Sequence, residues 1–211
     1  MSTLGSNNPK SPLTPTPSVG SAEEHREVFP DATRPSSDAG DTGGGATPED
    51  VRGPFWRCGS PYRGKTTMPL TPGTPLLVRG RVWSLEEDEP LPGTVVDVWH
   101  AGAGGFYQDD QEEVLHRARI VSNEAGDYEF EAILPGYFEQ SPGKVRPRHI
   151  HFRVSHREHF ELTTQMYFES DPQAAKDPNV KSELTVPLRT VKTPDGEYLR
   201  CRFDLVLSST R

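Results

Sequence analysis

Hydrophobic and polar positions alternate with a period of two along much of the chain. The clearest case is the run 146–154, Arg-Pro-Arg-His-Ile-His-Phe-Arg-Val. Successive side chains of an extended strand point to opposite faces, so His149 and His151 share one face and the intervening apolar residues share the other. The two imidazoles lie about 7 Å apart at their backbones, given the strand rise. Two interpretations are open: a pair of ligands for one metal ion, or a half-buried strand with two histidines on its outer face.

The same alternation predicts further short strands, separated by turn residues. Residues 117–122 and 127–134 resemble a hairpin, and in the second of these Glu129 and Glu131 face away from an apolar side. Only the stretch 172–181 could form a helical turn. Many short strands with regular turns predict an antiparallel β-sandwich. The predicted strands are 76–85, 94–99, 117–122, 127–134, 149–155, 162–168 and 198–207.

Composition narrows the class of protein. The chain has 211 residues, 32% of them hydrophobic, which predicts one domain, and its 21 prolines and 19 glycines favour turns over long helices. A formal net charge of −8 disfavours nucleic-acid binding. No apolar run approaches the ~18 residues of a membrane span, and no signal peptide is visible. Cys58 and Cys201 are too few for a disulfide scaffold, so we expect a soluble cytoplasmic protein.

Residues 1–47 have a different composition from the rest. Ser, Thr, Pro, Gly, Asp and Glu dominate there, and the few apolar residues are widely scattered. Such a segment cannot bury enough apolar surface to offset the entropy lost on ordering. We therefore predict that 1–47 is an arm that is disordered or ordered only by a partner, and that 48–211 is the folded domain.

Two tyrosine motifs extend the histidine pattern. Tyr107 ends the run 97–107, Asp-Val-Trp-His-Ala-Gly-Ala-Gly-Gly-Phe-Tyr, and Tyr137 follows a Pro-Gly turn. Together with the histidine strand, these motifs resemble the intradiol ring-cleaving catechol dioxygenases, non-haem ferric enzymes that include protocatechuate 3,4-dioxygenase and catechol 1,2-dioxygenase. Flanking matches at 53–56 and 164–172 extend the resemblance from about residue 48 to 207. The family fold is also a β-sandwich.

The resemblance implies a metal site. Its four ligand positions fall on Tyr107, Tyr137, His149 and His151, and the implied metal is Fe(III). Two phenolates and two imidazoles suit this ion, because a phenol that ionises only near pH ~10 needs a strongly Lewis-acidic partner. Zinc prefers Cys, His and carboxylate ligands, and ferrous oxygenases use two His with one carboxylate.

The resemblance also implies an activity. A catechol-type substrate and O2 would react so that the ring opens between the two hydroxylated carbons, giving a cis,cis-muconate-type diacid. Tyr137 matches the ligand that leaves the metal and takes a substrate proton, and Arg146 matches the arginine that stabilises negative charge on the ring. Gln165 matches a glutamine near the metal, and Pro54 a proline that lines the pocket. The plainer alternatives are a surface role for Arg146 and packing or turn roles for Gln165 and Pro54.

Other histidines and tyrosines have no ligand counterpart. We expect His156 and His159 to be solvated in a polar turn, and Tyr128 and Tyr167 to be packing residues. No ligand role carries over to His100.

Two rival functions remain open. One is a catalytically inactive sandwich that binds other molecules, and the other is a hydrolase with a different metal at the same positions. The family also implies that the loops 57–64, 101–106 and 138–145 set substrate specificity. From the residues themselves, we expect Gly102, Gly104 and Gly105 to leave room for a bulky ring. The substituents on the catechol and the oligomeric state, a homo-oligomer included, are left open.

Deleting residues 1–40 should leave folding and iron binding intact, because this segment has no apolar face to contribute. Thermal unfolding and metal analysis of the truncated protein test this. Loss of the thermal transition or of the iron would show that the arm packs on the domain or on a partner subunit.

Overall fold

The structure is a computed structural model that describes residues 44–108 and 115–211. Of the predicted arm, only 44–47 fall within these ranges. The described residues contain twelve strands and two short 3-10 helices, Ala174–Lys176 and Ser182–Leu184. The strands are β1 (Pro75–Ser84), β2 (Val95–His100), β3 (Arg117–Val121), β4 (Asp127–Ile133), β5 (Phe138–Ser141), β6 (Lys144–Arg146), β7 (His149–Ser155), β8 (Leu162–Phe168), β9 (Thr185–Val186), β10 (Arg189–Thr193), β11 (Gly196–Arg202) and β12 (Leu205–Leu207).

Two five-stranded sheets form the predicted β-sandwich. One has the order β10-β11-β1-β12, with β4 also paired to β1, and the other has the order β3-β2-β7-β8-β9. Most pairings are antiparallel, but β1 pairs with β11 and β12 in parallel, and β8 with β9 likewise. The short hairpin β5-β6 belongs to neither sheet. The sandwich prediction is confirmed, with mixed rather than purely antiparallel sheets.

The core lies between the sheets and receives the apolar face of β7. Ile150, Phe152 and Val154 are fully buried there, as the alternation predicts. The ring of Phe152 lies 5.2 Å from that of Phe203 and 6.3 Å from that of Tyr128, which come from the opposite sheet and its edge. Burying three such side chains contributes roughly 1.5–3 kcal/mol each. The histidine face of β7 is thereby directed away from the core.

The predicted hairpin of 117–122 with 127–134 is wrong. β3 pairs with β2 and β4 pairs with β1, so the two strands lie in different sheets. The turn between them is closed locally, because the Asn123 side-chain oxygen accepts hydrogen bonds from the backbone N–H groups of Ala125 and Asp127 at 3.0 and 2.9 Å. This local closure lets the chain cross from one sheet to the other without strand pairing.

The segment before β1 runs against the sandwich. Thr47 is buried, donates its backbone N–H to the carbonyl of Val206 and accepts the Val206 N–H on its hydroxyl oxygen. The backbone N–H of Asp50 donates to the carbonyl of Thr163 at 3.0 Å. Residues 47–50 are therefore attached to strands β8 and β12. None of the helices in the described ranges is long and apolar enough to cross a membrane.

A buried histidine fastens a loop to the end of β2. His100 is 1% exposed, with Nδ1 2.8 Å from the carbonyl oxygen of Ala101 and Nε2 2.8 Å from the hydroxyl of Thr66. Because a carbonyl can only accept, Nδ1 carries the proton and Nε2 accepts from Thr66. Burial, together with the nearby His116, lowers the pKa of His100 to about 3. The imidazole therefore stays neutral at all moderately acidic pH values.

This burial predicts a pH effect on stability. The folded pKa of His100 lies below the ordinary value of 6.5, so the unfolded chain binds the extra proton first. The contribution of His100 is complete above pH ~6.5 and declines by up to about 1.4 kcal/mol per pH unit as the pH falls towards its folded pKa. Urea unfolding of metal-free parent and His100→Asn proteins between pH 4.5 and 7 should show a shallower pH slope in the variant. Equal slopes would contradict this assignment.

Candidate functional site

Strand β7 lies between β2 and β8 and carries His149 and His151 on the face that points away from the core. Trp99 of β2 pairs with His151 across the ladder, and its indole stacks on the His151 ring with centroids 4.8 Å apart and planes 2° apart. The chain near Gly53 covers the same ring: a Cβ added to Gly53 would lie 3.3 Å from His151 Cε1. Both imidazoles are consequently buried although they lie outside the core.

The hydroxyl of Tyr107 meets the two imidazoles. Its oxygen lies 2.9 Å from His149 Nε2 and 3.0 Å from His151 Nε2, and the two Nε2 atoms are 3.2 Å apart. His149 Nδ1 lies 2.7 Å from the carbonyl of Pro147, which fixes the proton on Nδ1 and leaves the Nε2 lone pair facing the cluster. Three donor atoms of the four predicted ligands therefore converge on one point.

Burial keeps the three donors neutral in the absence of a cation. It lowers the pKa of His149 to about 4 and that of His151 well below its usual value, and it raises the pKa of the Tyr107 phenol. Lone pairs that converge without positive charge suit a metal ion. The three donor atoms lie 2.9–3.2 Å from one another, close enough for one ion to be bound by all three. Within the described ranges no group of three His, Cys, Asp or Glu side chains is arranged to hold an ion, so this cluster depends on the phenol.

Aromatic side chains hold Tyr107 in place. Phe55 stacks on its ring with centroids 4.2 Å apart and planes 10° apart, and Phe138 of β5 packs edge-on at 5.4 Å. Phe55 is itself tied to the sheet, because Arg117 donates to its carbonyl oxygen at 2.6 Å. Aromatic contacts on two sides of its ring therefore hold the Tyr107 phenol in position next to the imidazoles.

Tyr137 is not brought to the donor cluster. Its ring lies under the guanidinium of Arg148, 4.4 Å from ring centre to Cζ, and the Asp171 carboxylate is near enough for its charge to act on the phenol. Partial burial and the Asp171 charge raise its pKa. The Asp171 carboxylate is fixed by the backbone N–H groups of Arg148 and Gln173 at 2.7 and 2.9 Å. The predicted ligand role of Tyr137 therefore requires its side chain to turn away from Asp171.

The loops that carry the two tyrosines are in direct backbone contact. A Cβ added to Gly105 would lie 1.9 Å from the carbonyl oxygen of Tyr137, and one added to Gly136 would lie 2.3 Å from that of Ala103. Gly105 also has a φ of 83°, which favours glycine. Instead of leaving room for a ring, Gly105 is needed for this close approach.

Arg146 and Gln165, the predicted catalytic residues, lie beside the cluster. Gln165 pairs with His151 in the β7-β8 ladder, and Arg146 Nη2 lies 3.0 Å from the hydroxyl of Tyr167, which pairs with His149. The side-chain amide of Gln165 donates to the Val51 carbonyl at 2.7 Å, so its oxygen is turned towards Arg146 at 3.5 Å. Pro54, the predicted pocket residue, is exposed on the covering segment.

Sequence reasoning did not identify the role of Tyr167, which lies with Gln165 on the strand next to the two histidines. Tyr167 pairs with His149 in the β7-β8 ladder, just as Gln165 pairs with His151. Tyr167 is buried as expected, but its hydroxyl bonds Arg146 at 3.0 Å and Asp50 at 3.0 Å. The period of two already put Gln165 and Tyr167 on one face of β8, and this was the available signal.

The expectation of a solvated histidine turn is wrong for His159. Its side chain is 6% exposed, with Nδ1 2.9 Å from His156 Nδ1 and Nε2 3.0 Å from the Ser84 hydroxyl. The turn folds back on the end of β1, which removes water from His159 and leaves His156 half-buried. This pair lies at the far end of β7 from the donor cluster.

Comparison with known proteins agrees with this architecture. Residues 60–209 match the family model described as "Dioxygenase". The chain is 34% identical over 179 residues to chlorocatechol 1,2-dioxygenase of Rhodococcus opacus, covering 73% of this chain and 69% of that protein. It is 34% identical over 154 residues to the protocatechuate 3,4-dioxygenase beta chain of Burkholderia cepacia, covering 64% and 65%.

A solved structure gives the same result. The dioxygenase domain of a dioxygenase carbohydrate-binding protein fusion from Streptomyces sp. SirexAA-E is 31% identical, with a TM-score of 0.66 over 79% of this chain and 100% of that one. The chain spans 53% to 69% of the length of the two curated relatives above and of two catechol 1,2-dioxygenases from Acinetobacter. Since the family model covers most of the sandwich and the relatives agree with it, the chain belongs to the intradiol dioxygenase family.

Proposed function

We propose that this protein is an Fe(III)-dependent dioxygenase that uses O2 to cleave a catechol-type ring between its two hydroxylated carbons, giving a cis,cis-muconate-type diacid. The observation that carries the proposal is the convergence of the Tyr107 oxygen with the Nε2 atoms of His149 and His151 at 2.9–3.2 Å. Relatives named for the cleavage of catechol, chlorocatechol, protocatechuate and hydroxyquinol support it.

The donor cluster fits ferric iron by its chemistry. Tyr107, His149 and His151 would hold the ion, and Tyr137 would complete the set after turning from Asp171. Ferric iron held there would supply Lewis acidity that draws electron density from a catechol, which would make a ring carbon reactive towards O2. The pKa of Tyr107, raised by burial, would fall next to the ion, because a nearby positive charge favours the phenolate.

Arg146 supplies a fixed positive charge beside the cluster. Negative charge that develops on the catechol ring would be stabilised by this guanidinium, which is pre-oriented in a site with little water. Its side chain is 16% exposed and already paired with Asp177. The protein therefore adds no reorganisation cost when the substrate arrives.

Tyr137 is the proton acceptor in this proposal. A catechol that binds as a dianion loses two protons; the phenolate oxygen of Tyr137 would take one of them, and a solvent-derived hydroxide would take the other. The protonated phenol would then return to the position described here, near the Asp171 carboxylate. Burial and the Asp171 charge raise the pKa of Tyr137, which favours the protonated phenol and supports this role.

The reaction is assigned to the cytoplasm, where free thiols such as Cys58 and Cys201 persist. The proposal includes no particular oligomeric state, so a homo-oligomer is compatible with it. The net charge of −8 gives nucleic acid no favourable surface.

Oxygen uptake with catechol, protocatechuate, hydroxyquinol and alkyl-catechols, followed by product mass, would identify the substrate.

The purified protein should contain about one ferric ion per chain and show a broad visible band from tyrosinate-to-iron charge transfer. His151→Ala should abolish stable iron binding, because it removes one of the three converging donor atoms. His156→Ala is the matched control, a histidine outside the cluster, and should keep both iron and colour. Metal analysis and the visible spectrum measure this. Zinc, or a colourless iron form, in the parent protein would refute the proposal.

Tyr137→Phe should still bind iron through the other three residues and keep part of the visible band. Catechol chelation should slow, because the acceptor of a substrate proton is gone. In Tyr107→Phe the band should change strongly while the Tyr137 acceptor remains. Stopped-flow mixing with catechol without oxygen follows chelation directly. Equal rates in Tyr137→Phe and the parent would overturn the acceptor role.

A further inference from the structure

We infer that Tyr167, held by Asp50, is a positioning residue that fixes the guanidinium of Arg146 beside the donor cluster. The inference rests on the proposed function for its catalytic meaning, but the geometry stands without it. No contact between Tyr167 and the donor atoms is involved, so Tyr167 acts through Arg146 alone.

Arg146 needs an anchor because of where it lies. It ends the β5-β6 hairpin, a two-stranded unit outside both sheets whose residues 139–145 are all exposed. An isolated pair of strands is marginally stable in water. A side chain carried only by this hairpin would follow its motion, so the guanidinium must be fixed from elsewhere.

Tyr167 provides the best directed contact to that guanidinium. Arg146 Nη2 donates to the Tyr167 hydroxyl oxygen at 3.0 Å, whereas the Gln165 oxygen is 3.5 Å away, at the limit of a hydrogen bond. Asp177 lies 3.3 Å from Nε, but that nitrogen makes no hydrogen bond, so this contact is electrostatic only. Among the described residues none bonds Nη1, which keeps its N–H groups available.

Asp50 determines which way the Tyr167 hydroxyl points. The hydroxyl has one proton and two acceptors in reach, the Asp50 carboxylate at 3.0 Å and the Gln165 oxygen at 3.2 Å. The carboxylate is the stronger acceptor. A tyrosine phenol ionises only near pH ~10, so it keeps this proton at neutral pH. With the proton directed to Asp50, the oxygen lone pairs face Arg146.

Both members of the Tyr167–Asp50 pair are fixed to the strand that adjoins the metal strand. Tyr167 is fully buried on β8 opposite His149, with the two rings 6.1 Å apart. The backbone N–H of Asp50 donates to Thr163 near the start of the same strand. Through these contacts, the sheet that carries the metal ligands fixes the position of Arg146, and its own hairpin does not.

The test compares Tyr167→Phe with Tyr128→Phe in the iron-loaded full-length protein. Tyr128 is the matched control, a buried tyrosine whose hydroxyl donates to the Phe203 carbonyl inside the core. Losing a hydrogen bond to a charged group corresponds to about a tenfold to hundredfold change. We expect kcat to fall by about that factor in Tyr167→Phe, with iron content, the visible band and anaerobic catechol affinity unchanged. Tyr128→Phe should keep the parent kcat.

A double-mutant cycle tests whether Tyr167 acts through Arg146. Because the phenol has no effect once the guanidinium is gone, Tyr167→Phe in an Arg146→Ala background should cost nothing further. Additive losses would overturn the inference, as would an unchanged kcat in Tyr167→Phe. Asp50→Asn, which weakens the acceptor at constant volume, should lower kcat in the same direction by a smaller factor, and it serves if Tyr167→Phe does not fold.

A measurement without turnover separates this inference from the proposed function. Nitrogen-15 arginine labelling of the metal-free protein reports the Arg146 guanidinium, assigned with Arg146→Lys. A held guanidinium gives separate, slowly exchanging Nη signals, and these should collapse in Tyr167→Phe. If the parent consumes no oxygen with any catechol, the proposed function fails while this signal still decides the positioning. Persistent Nη signals in Tyr167→Phe would refute it.

Discussion

The two faces of β7 have opposite requirements, and the site depends on both being met by one strand. The core face must exclude water between two sheets, and the fully buried Ile150, Phe152 and Val154 do so. The opposite face must present two imidazoles to one point. A slip of one residue in the pairing of β7 would exchange the faces and place His149 and His151 in the core. Hydrophobic packing therefore selects the register, and the register sets the geometry of the donors.

The environment of the donors is built for an added positive charge. Burial removes protons from the imidazoles, while the same burial keeps Tyr107 a neutral phenol. Converging lone pairs on buried, neutral donors favour an added cation, which is consistent with the iron proposed above. Arg146 does not take this role, because its charge is paired with Asp177.

The sequence predicts this molecule well wherever one strand face is apolar and the other polar. The bounds of β7 and β8 follow from the alternation, and β1 to β4 differ by a residue or two at their ends. The β5-β6 hairpin was not predicted, because most of its residues are exposed and neither face is apolar. The false hairpin arose because turn chemistry is local, whereas the choice of sheet depends on distant partners.

In the site, as in the fold, local sequence patterns predict some residues, whereas the roles of others depend on contacts between distant parts of the chain. Motifs gave Tyr107, His149 and His151 because their spacing follows from strand geometry and a resemblance. The position of the Tyr137 ring under Arg148 and near the Asp171 charge depends on tertiary contacts that no local pattern encodes. Tyr167 lay on the correct face of β8, but its role requires the β7-β8 register and the path of Asp50, which only the folded chain provides.

The close approach of the two tyrosine loops limits how this pocket can evolve. Backbone atoms occupy the space where side chains at Gly105 and Gly136 would lie. A mutation at either glycine would separate the loops and displace both tyrosines together. We therefore expect variation around the site to occur in the β5-β6 hairpin, which pairs with neither sheet and whose residues 139–145 are exposed. We expect a relative with a different substrate to keep both glycines and to differ in the sequence of that hairpin.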